Sequence, residues 1–130
     1  MVGGGINHRY NLSDGVLIKD NHIKAAGGIK NALTMIKNSV SHTQKIEIEV
    51  ETIHELKEAL KYGADIIMLD NMTIGMMKEA VEITNGKAIL EASGNINEDN
   101  ILQVAKTGVD IISVGAITHS VKALDISYDL

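Results

Sequence analysis

A chain of 130 residues, 45% hydrophobic and 22% charged, has the make-up of one soluble globular domain and is too short for two comfortable ones. It has no cysteine, which excludes disulfides and thiolate metal sites, and its formal charge of -5 argues against a nucleic-acid surface while leaving room for a local basic pocket. No apolar run is long enough to span a bilayer, no signal-peptide pattern stands at the start, and with no Pro, Phe or Trp the core must be aliphatic.

Residues 3–23, GGGINHRYNLSDGVLIKDNHI, come first. Three glycines lead into His8 and Arg9, the only arginine, then a strand-like run at residues 15–18, then Lys19, Asp20, Asn21 and His22. Glycine lets a backbone turn or approach a ligand closely, and arginine offers carboxylate or phosphate a planar fork of donors that lysine lacks. A cation that ends an apolar strand stands at the rim where α/β proteins build sites. The stretch reads as a pocket for a small anion; a glycine-rich opening loop with solvated charges would have the same pattern.

After Gly27 and Gly28, the positions Ile29, Ala32, Leu33 and Ile36 recur at helical spacing, and polar residues 39–44 read as a loop. Residues 45–51, KIEIEVE, alternate strictly: Ile46, Ile48 and Val50 line one face of a strand, Glu47, Glu49 and Glu51 the other. Thr52, with Glu55 three residues on, predicts a capping box for a helix through Leu56, Ala59 and Leu60 that stops at Gly63. Residues 64–70 form a buried strand, and Thr73 starts a helix with Met76, Met77, Ala80, Val81 and Ile83 on its apolar side. Asn85-Gly86 is a turn, residues 87–93 a strand, and Asn97 caps a helix through Ile101, Leu102, Val104 and Ala105 that Gly108 ends. Residues 109–115 are the last clear strand, and residues 116–130 a short helical tail.

Alternating strands and helices predict a parallel sheet with crossover helices. Residues 60–67, LKYGADII, also resemble residues 105–112, AKTGVDII, and Glu49 in the strand before one unit matches Glu91 in the strand before the other. Repeated strand–helix units build (β/α) barrels. A doubly wound sheet is the alternative, but no GxGxxG follows a strand.

In either fold the strand ends face the site, and the polar groups there are Lys19, Glu49, Asp70, Ser93 and the backbone at Gly115 and Ala116. Glu47 and Glu51 read as solvated carboxylates on a strand face, a reading also open for Glu49; Asp70 ends a wholly apolar run, where it is either a site acid or a turn cap. Ser93-Gly94-Asn95, before one helix, and Gly115-Ala116, before another, offer backbone amides and helix N-termini to phosphate, or are ordinary βα turns. His22, His42 and His54 lack metal-ligand spacing, so no zinc is expected. His119 reads as support or cap for the Gly115 turn, and Met72, Met76 and Met77 as helix packing.

Together the motifs GGGINHRYNLSDGVLIKDNHI, IEIEVE, ADIIMLDNM, LEASGNI and GVDIISVGAITHSVKALDIS, in this order, resemble the C-terminal barrel domain of the quinolinate phosphoribosyltransferases (nicotinate-nucleotide pyrophosphorylases, carboxylating) over essentially the whole chain. The resemblance implies a parallel (β/α) barrel, and a reaction in which quinolinate and phosphoribosyl pyrophosphate give nicotinate mononucleotide, carbon dioxide and pyrophosphate for NAD biosynthesis. It implies that His8, Arg9 and Lys19 bind quinolinate, that Lys19, Glu49 and Asp70 are catalytic, and that Ser93, Gly94, Asn95, Gly115 and Ala116 bind phosphate and ribose. Mg2+ would accompany phosphoribosyl pyrophosphate near Glu49 and Asp70 without a dedicated protein cage. A cytoplasmic homodimer or higher oligomer, with no nucleic acid or membrane partner, is also implied.

Members of that family carry an N-terminal α/β domain and a TRKT-like basic segment ahead of the glycines, and neither is found in residues 1–130. The chain is therefore expected to be the C-terminal catalytic domain alone: an incomplete, open barrel, poorly active by itself. The alternatives are a phosphoribosyltransferase for another aromatic acid, a non-catalytic phosphate- or nucleotide-binding barrel, and a truncated product with no function of its own.

Overall fold

The computed structural model describes residues 3–11, 13–119, 123 and 125–128. Strands β1 (Val16–Ile18), β2 (Ile46–Val50), β3 (Ile66–Asp70), β4 (Ile89–Ser93) and β5 (Ile111–Ile112) form one parallel sheet in the order β1-β2-β3-β4-β5. Helices α1 (Asp20–Ala26) and α2 (Ile29–Lys37) follow β1; α3 (Ile53–Lys61), α4 (Ile74–Thr84), α5 (Ile101–Ala105) and α6 (Ala116–His119) each follow one later strand. A doubly wound sheet reverses its strand order at a switch point. Here every new strand adds to the same edge, which is how a barrel is wound, and among the described residues β1 and β5 do not pair, so the barrel is open.

The aliphatic side of each strand explains the layering. Ile46, Ile48 and Val50 of β2, Ile67 and Leu69 of β3, and Leu90 and Ala92 of β4 are all buried against Leu33, Leu56, Ala59, Met77, Ala80 and Val104. Neighbouring helices from α1 to α5 touch in chain order, so they share one face of the sheet. Each fully buried aliphatic side chain contributes about 1.5–3 kcal/mol. The opposite face is the concave inner one.

The internal repeat in the sequence is a repeat of hydrogen bonds. The Asp65 carboxylate accepts from the Ile46 N–H at 2.8 Å while the Asp65 N–H donates to the Ile46 carbonyl. Asp110 makes the same exchange with Leu90, again at 2.8 Å for the carboxylate bond. Each aspartate, one residue ahead of its own strand, pins the start of the strand before. The predicted caps also form: Thr52 Oγ1 accepts from the Glu55 N–H and Glu55 Oε2 from the Thr52 N–H, and Thr73 Oγ1 accepts from the Met76 N–H.

The structure differs from expectation in three places. Helix α1 lies where only a polar strand end was read; it buries no residue, so no apolar period announces it, and it rests on local bonds from the Lys19 N–H to His22 Nδ1 and from Lys24 to Asp20. Helix α5 starts at Ile101 rather than just after Asn97, because Asn97 and Asn100 bond across an intervening turn. The last strand is only Ile111–Ile112; of the expected helical tail, α6 forms, residues 123 and 125–128 are irregular, and the other positions after 119 lie outside the described residues.

Candidate active site at the strand ends

Parallel register stacks the inner-face residues in levels. Leu17, Glu47, Ile66 and Ile89 share one level, Glu49, Met68, Glu91 and Ile111 the next, and Asp70 and Ser93 the level nearest the strand ends. Lys19 follows β1 directly, and its Nζ lies 4.0 Å from Glu49 Oε2. Burial pushes the Glu49 carboxyl above the usual range, the neighbouring Asp70 charge adds to the push, and Lys19 opposes it. Arg9 and Lys19 line a groove of about 440 Å³ with Gly15, Val16, Leu17 and His22. The expected cations Arg9 and Lys19 thus line one groove, Lys19 beside the expected acid Glu49, and His22, unassigned from the sequence, joins them through the first turn of α1.

The ends of β3 and β4 are locked together. Asn71 Nδ2 donates to Asp70 Oδ2 at 2.9 Å, and Asn95 Nδ2 donates to Asn71 Oδ1 at 2.8 Å. Asn71 and Asn95 both adopt φ 52, a left-handed conformation asparagine tolerates, and Gly94 has φ 86. A Cβ on Gly94 would lie 2.8 Å from the Asn71 backbone nitrogen, so only glycine fits. The side chain of Asn95 is spent on this lock. Because α5 begins at Ile101, an anion at Ser93-Gly94-Asn95 would meet the amides of the turn and not a helix N-terminus. Gly115 and Ala116 do lead straight into α6, where the Thr118 and His119 N–H groups close on the Gly115 carbonyl.

Glu47 corrects the sequence reading. It is not a solvated face carboxylate: it is 7% exposed on the inner face, and Glu91, one level up on β4, is 3% exposed. Both meet His8. Its Nε2 lies 3.2 and 3.4 Å from the two Glu47 oxygens and 3.4 Å from Glu91 Oε1, which also accepts from Ser113 Oγ. The Glu47 carboxyl is pushed up by burial first and by the Glu91 charge next, with His8 and Arg9 pulling it back. The sequence signal was a lone acid inside the apolar strand KAILEAS, whose partner could not be named without the fold.

Among the described residues, the donor atoms of His8, Glu47 and Glu91 are close enough, within 4.8 Å of one another, to hold one ion; the imidazole itself already satisfies the two acids. Glu49 and Asp70 are a different set, two oxygen donors near the ends of the adjacent strands β2 and β3 that feel each other's charge, a donor type that suits a hard cation such as Mg2+. A second depression of about 380 Å³, lined among others by Asp65, Thr84, Lys87 and Asp110, lies at the opposite end of the strands and touches none of these groups.

An open parallel (β/α) barrel with a groove lined by Arg9 and Lys19 at its strand ends places the chain in the α/β-barrel class. Residues 1–129 match the family model for the quinolinate phosphoribosyl transferase C-terminal domain, and the chain belongs to that family. A probable nicotinate-nucleotide pyrophosphorylase (carboxylating) of Methanocaldococcus jannaschii is 54% identical over 99% of this chain and 48% of its own length. One of Bacillus subtilis is 44% identical over 99% of this chain and 45% of its own. The solved nicotinate-nucleotide pyrophosphorylase of Francisella tularensis superposes with a TM-score of 0.88 at 50% identity, covering 96% of this chain and 44% of that one. The chain therefore spans about half the length of the relatives it matches.

Proposed function

We propose that this chain supplies the catalytic barrel for transfer of a phosphoribosyl group from phosphoribosyl pyrophosphate to quinolinate, with decarboxylation to nicotinate mononucleotide, in NAD biosynthesis. The observation that carries this reading is the groove shared by Arg9 and Lys19, with Lys19 4.0 Å from Glu49 and Glu49 feeling the charge of Asp70. Arg9 takes one ring carboxylate through its fork, with Lys19 supplying the second positive charge for the dianion and His8 next to Arg9 completing the quinolinate pocket. The quinolinate nitrogen attacks the anomeric carbon, and the bond to pyrophosphate breaks with its electron pair leaving on oxygen. Positive charge builds on the ribose as it does, and the fixed carboxylates Glu49 and Asp70 stabilise it. The amides at 93–95 and 115–116 hold the phosphate ends. Once ribosylated, the ring nitrogen is cationic and stabilises the electron pair left on the adjacent ring carbon when its carboxylate leaves as carbon dioxide; that carbon then takes a proton with this pair.

Glu49 and Asp70 are the residues that would hold Mg2+, which when bound neutralises charge on the departing pyrophosphate. We assign the working form to a cytoplasmic homodimer. The open edges at β1 and β5, the exposed Ile6, Tyr10, Leu102 and Ile117, and the absence of cysteine support it, and no helix among the described residues is long and apolar enough to cross a membrane.

Among the described residues Arg9 and Lys19 are the only permanent cations lining the groove, few for a ring dianion next to phosphates, and this favours a second reading in which the chain alone binds without turnover. A product assay with the chain in excess over quinolinate, phosphoribosyl pyrophosphate and Mg2+ separates the two. Nicotinate mononucleotide formed in step with carbon dioxide supports the enzyme, and bound quinolinate with no product supports the binding module.

A further inference from the structure

The buried acids of the inner face have no part in the reaction just described. Glu47 and Glu91 stand on β2 and β4, with β3 between them, yet both reach a single atom, Nε2 of His8, at 3.2–3.4 Å. Ser113, just past β5, fixes Glu91 from the far side. Once both carboxylates are ionised they only accept hydrogen bonds, so above the pH range in which Glu47 holds its proton Nε2 is the donor and the ring's orientation across the face of β3 is set.

What this grip holds is a segment with little else to hold it. His8 belongs to the irregular stretch ahead of β1, and the other side-chain hydrogen bonds of that stretch are internal: Asp14 accepts from the Tyr10 and Asn11 N–H groups, and Asn11 from the Ser13 N–H. Among the described residues, His8 is the side chain that bonds the segment to the sheet. Arg9, the next residue, lines the groove. Apolar residues at positions 47 and 91 would stabilise the sheet at least as well as two buried acids do. Their distinguishing consequence is where the loop sits.

We propose that Glu47 and Glu91 are positioning residues: together they clamp the His8 imidazole over β3 and thereby hold Arg9 at the mouth of the groove. Neither acid touches the ligand. The clamp is a property of the free chain; that the groove it shapes takes a ring dicarboxylate rests on the function proposed above.

The experiment uses the wild-type chain, Glu47→Gln, Glu91→Gln, the double variant, and Glu51→Gln as an exposed control on the same segment. Ring nitrogen NMR of ligand-free wild type is expected to show His8 protonated on Nε2 in one environment, and the double variant to lose that signature. In calorimetry the double variant is expected to bind quinolinate about tenfold more weakly, the loss that follows a displaced charge-assisted contact, with affinity for Mg2+-phosphoribosyl pyrophosphate little changed. A wild-type His8 that behaves as a free, averaging imidazole overturns the clamp even if no variant folds. So does a folded double variant whose His8 signals are unchanged, or one that loses both ligands equally. A wild type that keeps the His8 signature but does not bind quinolinate supports the clamp and counts against the proposed function, so the two can fail separately.

Discussion

Glu47 gives the residue scale its clearest chemical handle. Its carboxyl is held above its ordinary 4.5 mainly by burial and by Glu91. Between pH 4.5 and that raised native value the native state therefore keeps a proton there that the unfolded chain has released; the stabilising contribution is full below pH 4.5 and is lost as the pH rises through the native value, above which the carboxylate is ionised. Glu49 shifts in the same direction. Glutamine mimics the protonated acid, so Glu47→Gln is expected to melt close to wild type at low pH and to gain on it as the pH climbs above 4.5; a thermal melting series for both proteins checks this, and a constant gap would contradict it. Glu47 also shows why the residue scale was only partly legible. A strictly alternating strand reads as one dry and one wet face, and the acid is dry here because a histidine 39 residues away lies over it. The places of Lys19, Glu49 and Asp70 near strand ends were legible because strand ends are local features; the two-acid grip on His8 was not.

At the scale of elements, the Asp65 and Asp110 bonds explain why a sequence repeat exists at all. Asp65→Ala removes the acceptor for the Ile46 N–H and is expected to cost about 1–2 kcal/mol in urea unfolding, whereas Asp65→Asn keeps an acceptor oxygen and is expected to recover most of it. Equal losses in the two variants would show that the bond does not hold β2 in place. The caps at Thr52 and Thr73 and the apolar periods of α2, α3 and α4 could be read directly. Helix α1 could not, because it buries nothing and owes its start to a histidine ring nitrogen. The late start of α5 was hidden for a similar reason: Asn97 is a good cap by type, but here it closes a turn with Asn100.

For the whole molecule, alternating strands and helices dictated the parallel sheet, and the repeat pointed to sequential winding over double winding. Among the described residues the sheet stays open, with β1 and β5 as edges and Ile111 of β5 exposed. Open strand edges with apolar neighbours recruit other chains. Sedimentation of the isolated chain is expected to show concentration-dependent self-association, and a monomer at every concentration would count against it. On the function proposed above, the groove at Arg9 and Lys19 receives a ring dicarboxylate. The most direct test is calorimetric titration with quinolinate of the wild type, Arg9→Ala and Glu51→Gln. Wild type and Glu51→Gln are expected to bind and Arg9→Ala to lose binding while still taking Mg2+-phosphoribosyl pyrophosphate; no binding by wild type, or undiminished binding by Arg9→Ala, would contradict this.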